Sequence, residues 1–141
     1  MANIFWDSNL FIYLFEEHPV FGESVRSLRR KMRTRGDRLF TSCLTLGEIL
    51  VKPVSLKNKV LTDRYAGFFN RSGITVLPFD SQVALRYAQI RQDRWIKRPD
   101  AIQLAIAASV GIDLFITNDA RLSRAVVPGI HFISSLDRAP I

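Results

Sequence analysis

The chain has one cysteine, Cys43, so no intrachain disulfide can form, and a reducing compartment is the natural expectation. It has two histidines, His18 and His131; neither stands at ligand spacing from the other or from Cys43, which argues against a zinc site. Seven glycines and six prolines are too few for a collagen-like chain or a low-complexity linker. Long apolar runs are missing as well. The longest candidate, Ala101 to Ile116, is interrupted by Gln103, Ser109 and Asp113, where a membrane span wants about 18 uninterrupted residues. The first twenty residues show no positively charged start and no small-residue cleavage site, so no signal peptide is expected. A Gly-rich phosphate loop, a Gly-x-Ser-x-Gly elbow and a Cys-His pair within a catalytic motif are all absent, which removes the common nucleotide-binding and acyl-transfer motifs. These absences predict a soluble, cytoplasmic protein.

Acidic residues are also in deficit: 13 Asp+Glu stand against 20 Lys+Arg, a formal net charge of +7. That balance favours an anionic partner, nucleic acid first. At 141 residues, 48% hydrophobic and 23% charged, the composition is globular, and the length suits one domain spanning residues 1–141.

Short β-rich runs alternate with amphipathic segments. Asn3 to Trp6, Arg38 to Thr41, Ile74 to Leu77, Asp113 to Ile116 and Ile130 to Ile133 read as strands, by their β-branched and aromatic content. Between them, helices are predicted over Ser8–Glu17, Val20–Thr34, Leu44–Val51 (stopped before Pro53), Lys57–Phe69, Ser81–Trp95 and Asp100–Val110, with a short one near Ala120,. Strands separated by helices need crossover connections, so the expected class is α/β, with a central, mainly parallel sheet of four to five strands and helices on both faces. In such folds ligands sit beyond the carboxyl ends of the strands.

Four acids fall at or near those ends. Asp7 directly follows the first strand; its bland role is to cap the next helix, although Ser8 could cap instead. Glu48 shares a helix face with Leu44 and Val51, where an unpaired carboxylate would be costly to bury. A capping box from Thr45 to Glu48 is the local alternative. Asp100 opens the most apolar helix, where a negative charge suits the helix N-terminus. Asp119 follows a strand in Thr117-Asn118-Asp119, a setting for an Asx turn. Each has a purely structural reading. Together, at one end of a parallel sheet, four carboxylates would repel and take up protons unless a cation joined them. Oxygen-only donors suit Mg²⁺ or Mn²⁺. Such ions can activate water and stabilise charge developing on a phosphodiester.

Phe5-Trp6-Asp7-Ser8-Asn9, Thr45-Leu46-Gly47-Glu48-Ile49-Leu50, Arg98-Pro99-Asp100-Ala101-Ile102-Gln103-Leu104-Ala105 and Phe115-Ile116-Thr117-Asn118-Asp119 stand in that order along the chain. With these segments the sequence resembles the PIN-domain ribonucleases, and among them the VapC-type toxins of toxin–antitoxin pairs. The resemblance runs from Ala2 to about Leu136. It implies a three-layer α/β/α fold and a metal-dependent endoribonuclease in which Asp7, Glu48, Asp100 and Asp119 bind Mg²⁺ or Mn²⁺, supported by Ser8 and Thr117. It also implies a homodimer, and a small antitoxin whose C-terminal segment lies across the acidic cleft. No further acid follows Asp119 in Ala120-Arg121-Leu122, which leaves the number of ions open.

Two basic groups stand out. Arg26, Arg29, Arg30, Lys31, Arg33, Arg35 and Arg38 place seven cations in thirteen residues, and Arg91, Arg94, Lys97 and Arg98 lead into Asp100. The first reads either as a solvated face or as a phosphate-tracking arm. Lys97 and Arg98 are the expected substrate contacts. Leu10 to Phe15 is apolar all round, which suits core packing on two sides or a docking face. The competing functions are a non-catalytic nucleic-acid- or partner-binding domain on the same scaffold and a phosphotransfer or receiver domain. Asn9 stands where an aspartyl phosphatase needs its second Asp, and the adjacent acids of a receiver are missing.

Overall fold

Five strands carry the fold in the computed structural model, which describes Met1–Ile141. In chain order the elements are β1 (Asn3–Trp6), α1 (Ser8–Phe15), α2 (Gly22–Arg35), β2 (Arg38–Ser42), α3 (Cys43–Ser55), α4 (Lys59–Arg71), β3 (Thr75–Leu77), α5 (Ser81–Ile90), α6 (Arg98–Ser109), β4 (Ile112–Thr117) and β5 (Ile130–Ser135). The strands form one sheet in the order β3-β2-β1-β4-β5, and every neighbouring pair is parallel. No helix is long and apolar enough to cross a membrane.

Both faces of the sheet are covered, as parallel pairing requires. Successive side chains of a strand point to opposite faces, and the two cores divide accordingly. Ile4, Trp6, Leu114 and Ile116 pack with Leu10, Phe11, Val25, Met32, Ile49 and Phe69, from α1 to α4. Phe5 and Phe115, stacked at 5.0 Å, pack with Val83, Leu104 and Ile106 on the other side. The architecture is therefore the expected three-layer α/β/α sandwich.

The chain moves outward from β1 to β2 and β3 through helices on one face. It then crosses by α5 and α6, on the other face, to β4 on the far side of β1. The strand order thus reverses between β1 and β4, and a crevice at such a point is where open α/β sheets bind ligands.

Three local expectations are corrected. α3 does not stop before Pro53 but runs through it to Ser55. The lost amide bond is offset by burial of the ring and by bonds from Leu56 to Lys52 and Asn58 to Pro53 that keep the last turn wound,. α5 ends at Ile90 rather than Trp95, because the Ile96 amide turns back to the Asp93 carbonyl and Arg91 donates to the Ile96 carbonyl at 2.6 Å. The face of α3 that carries Glu48 is also more open than its apolar neighbours imply: Val51 is 65% exposed, while Thr45, Ile49 and Pro53 make the buried side.

Candidate active site

Asp7 stands where β1 ends, its amide bonded to the Ile116 carbonyl of β4. Its side chain is almost wholly enclosed. Oδ1 accepts from the Ser8 amide at 2.7 Å and Oδ2 accepts from the Thr117 hydroxyl at 2.9 Å. Asp7 is thus the cap of α1, a role Ser8 does not take. Burial pushes its pKa up; the bonds from Thr117 and Ser8 oppose that rise, and the charges of Glu48 and Asp119 add to it.

Glu48 occupies the middle of α3. The helix is capped by Ser42, whose hydroxyl accepts from the Thr45 amide at 3.2 Å, so the capping box from Thr45 to Glu48 is not formed. Partial burial raises the Glu48 carboxyl; the Ser8 hydroxyl works against this, and Asp100 reinforces it. Asp100 lies in the first turn of α6 and is pushed up to about 6, first by burial, then by the charges of Asp7 and Asp119, with Lys97 opposing. Asp119 follows β4 in the expected turn, its Oδ1 accepting from the amides of Arg121 at 2.9 Å and Leu122 at 3.2 Å. The Thr117 hydroxyl also accepts from the Asp119 amide at 3.1 Å.

These four acids share one field at the end of β1 and β4. Pooling negative charge in this way favours a cation or bound protons. Their oxygen-only donor set fits a hard divalent ion. No three His, Cys, Asp or Glu side chains stand close enough to form a ready-made metal cage.

Below the acids lies a buried polar network that local sequence patterns did not disclose. Gln103, 1% exposed, accepts through Oε1 from the Ser42 hydroxyl and donates through Nε2 to Thr45 Oγ1 at 2.7 Å and Ser8 Oγ at 3.0 Å. Ser8 and Thr45 also meet, at 3.3 Å. One amide therefore joins the starts of α1 and α3 to α6. The available signal was spacing: Gln103 is three residues after Asp100, on the same helix face, in an otherwise apolar helix.

The basic groups divide. Lys97 and Arg98 are exposed at the head of α6. In the run from Arg26 to Arg38, Arg26 and Arg30 pair with Glu23, Arg35 pairs with buried Asp37, and Arg29 donates to the Ser72 carbonyl. Much of that charge is engaged within the fold. In the apolar run of α1, Leu10 and Phe11 are fully buried and Ile12 to Phe15 partly so, which makes core packing its main role.

A parallel three-layer sandwich with acids where its strand order reverses is an open α/β fold with a candidate ligand site at its switch point,. A family model described as the PIN domain matches residues 4–127, and the chain belongs to the PIN-domain family. Among solved structures, it is similar to a chain of VapBC2 from Rickettsia felis bound to a DNA fragment from their promoter, with TM-score 0.74 and 15% identity over 94% of this chain and 97% of that one. A chain of DNA-bound VapBC from Salmonella typhimurium matches with TM-score 0.68 and 23% identity over 96% and 99%. A toxin–antitoxin complex from Klebsiella pneumoniae contributes a third match, with TM-score 0.63 and 21% identity over 91% and 95%. At these identities the likeness is one of fold. A search of curated proteins gave no significant match.

Proposed function

We propose that this chain is a Mg²⁺- or Mn²⁺-dependent endoribonuclease and the toxin member of a toxin–antitoxin pair. The observation that carries the reading is the placement of Asp7 at the end of β1, Glu48 in α3, Asp100 in the first turn of α6 and Asp119 just after β4, with Thr117 joined to both Asp7 and Asp119, in a chain of the PIN-domain family. The solved chains of like fold come from toxin–antitoxin complexes, which supports an antitoxin partner here. We extend the same reading to a homodimer, to an antitoxin segment lying across the acids, and to the cytoplasm as the place of action.

In this mechanism Asp7, Glu48, Asp100 and Asp119 are the residues that would hold the ion. A bound divalent ion supplies a more acidic water and offsets charge on the phosphate. The chain's own residues supply position. Thr117 fixes the carboxylate of Asp7 and the backbone of Asp119, and Gln103 with Ser8 keeps α1, α3 and α6 in register beneath it. Lys97 and Arg98 face solvent beside Asp100, where they hold the phosphate backbone. Attack by water needs no 2′-hydroxyl, so preference for RNA comes from binding rather than from the reaction.

The test is cleavage of a labelled structured RNA by the purified protein with Mg²⁺, Mn²⁺ or EDTA, beside Asp7→Asn and with co-purified antitoxin excluded by mass spectrometry. Cutting that needs the metal and is lost in the variant supports the reading. RNA bound but uncut, identically by both proteins, would refute catalysis and leave a binding domain.

A further inference from the structure

Trp95 takes no part in the site described above. It is 40% exposed, whereas the only other tryptophan, Trp6, is 0% exposed. Single exposed apolar residues are ordinary, so exposure alone carries nothing. What sets Trp95 apart is how it is held and what stands beside it.

The loop that presents it is fixed. Ile96, the next residue, is 2% exposed and packed into the core. The Ile96 amide is bonded to the Asp93 carbonyl, and its own carbonyl takes the Arg91 guanidinium. The ring is therefore presented in advance, with little left to order on binding. Its neighbours link it to the acids. The Arg121 guanidinium lies over the Trp95 ring, 5.4 Å from its centroid, while the Arg121 amide is held by Asp119 Oδ1 at 2.9 Å. Trp95 is thus one arginine's reach from Asp119. Two residues further on stands Lys97, whose charge acts on Asp100. An exposed aromatic ring among cations is the arrangement that binds unpaired nucleotides: the ring takes a base and the cations take the phosphates.

We propose that Trp95 is a base-stacking platform for single-stranded RNA approaching the acids, with Arg121 against the ring supplying the cation for the adjoining phosphate. This rests on the ribonuclease reading and adds where a nucleotide beside the cleaved bond is held. Because stacking accepts any base, the platform grips unpaired strands without selecting sequence, and it excludes paired segments whose bases are already stacked.

The two tryptophans make the test direct. A short single-stranded RNA is titrated into Asp7→Asn protein, with binding followed by anisotropy of the labelled RNA and stacking by tryptophan emission. Quenching is expected on binding. Adding Trp95→Phe should abolish the quenching, since buried Trp6 is out of reach, while affinity stays within about threefold. Adding Trp95→Ala should weaken binding roughly five- to hundredfold and leave its salt dependence unchanged, whereas Lys97→Ala should flatten that dependence. RNA bound as tightly by the Trp95→Ala protein, or quenching that survives Trp95→Phe, overturns the platform and leaves the ribonuclease reading standing. RNA that does not bind the Asp7→Asn protein at all overturns both.

Discussion

The Thr117 hydroxyl at the end of β4 donates to Asp7 Oδ2 at the end of β1, across 2.9 Å and 110 residues of sequence. The same oxygen accepts from the Asp119 amide, so one small side chain sets the separation of two acids. Thr117→Val keeps the shape and removes the hydroxyl. It leaves a buried carboxylate oxygen and an amide short of a partner, with an expected cost of about 1–3 kcal/mol. Denaturant unfolding should show that loss, and metal-dependent cleavage should fall with it; Thr117→Ser should retain most of both. Unchanged stability and cleavage in Thr117→Val would show that the hydroxyl positions neither acid.

Gln103 is the second target. Gln103→Leu has similar bulk and buries well, but it strips partners from the hydroxyls of Ser8, Ser42 and Thr45, each buried to 3% exposure or less. The expected destabilisation is about 2–3 kcal/mol, measured by urea unfolding. Cleavage should decline further than stability alone explains, because α3 and α6 carry Glu48 and Asp100 and α1 begins at the Asp7 cap. A variant as stable and as active as the parent would show that packing alone aligns these helices.

The acids also set a pH dependence. Asp7, Glu48 and Asp100 are all raised, Asp100 to about 6. Between the ordinary carboxylate range and about 6 the folded chain therefore holds more protons than the unfolded one, and stability falls as pH rises through that window. A divalent ion reverses the balance by taking the place of the protons. Melting temperatures with and without Mg²⁺ should differ most above pH 7, and the difference should vanish below about pH 5. An Mg²⁺ effect that is constant across this range would detach the ion from these carboxylates.

Replacing both Lys97 and Arg98 with Ala should weaken RNA binding uniformly across sequences. The slope of log affinity against log salt should shrink by about two, one for each phosphate that the pair neutralises. An unaltered slope would assign the phosphates to other cations, with Arg121 and Arg94 the next candidates.

The class of fold was legible because β-branched runs such as Ile74-Thr75-Val76-Leu77 alternate with amphipathic helices, and that alternation leaves few topologies open. The residues Asp7 and Asp119 were legible as positions because both follow strands, and parallel strands end on one side. What escaped was decided by long-range packing. Pro53 reads as a helix stop, yet its burial lets α3 continue. Thr45 reads as a cap, yet Ser42 takes that role and frees Thr45 to meet Gln103, 58 residues away. The Glu48 face reads as apolar and is open. No local periodicity carries such pairings.

The reversal of strand order between β1 and β4 bears on synthesis. As the chain leaves the ribosome, Asp7, Glu48 and Asp100 emerge with the first three strands and the helices that follow them. Thr117 and Asp119 emerge only with β4, the strand that must slot in beside β1. A chain interrupted before that point lacks the hydroxyl that holds Asp7 and the fourth carboxylate. Partial translation products therefore lack Thr117 and Asp119, and the four acids share one end of the sheet only once β4 has paired with β1.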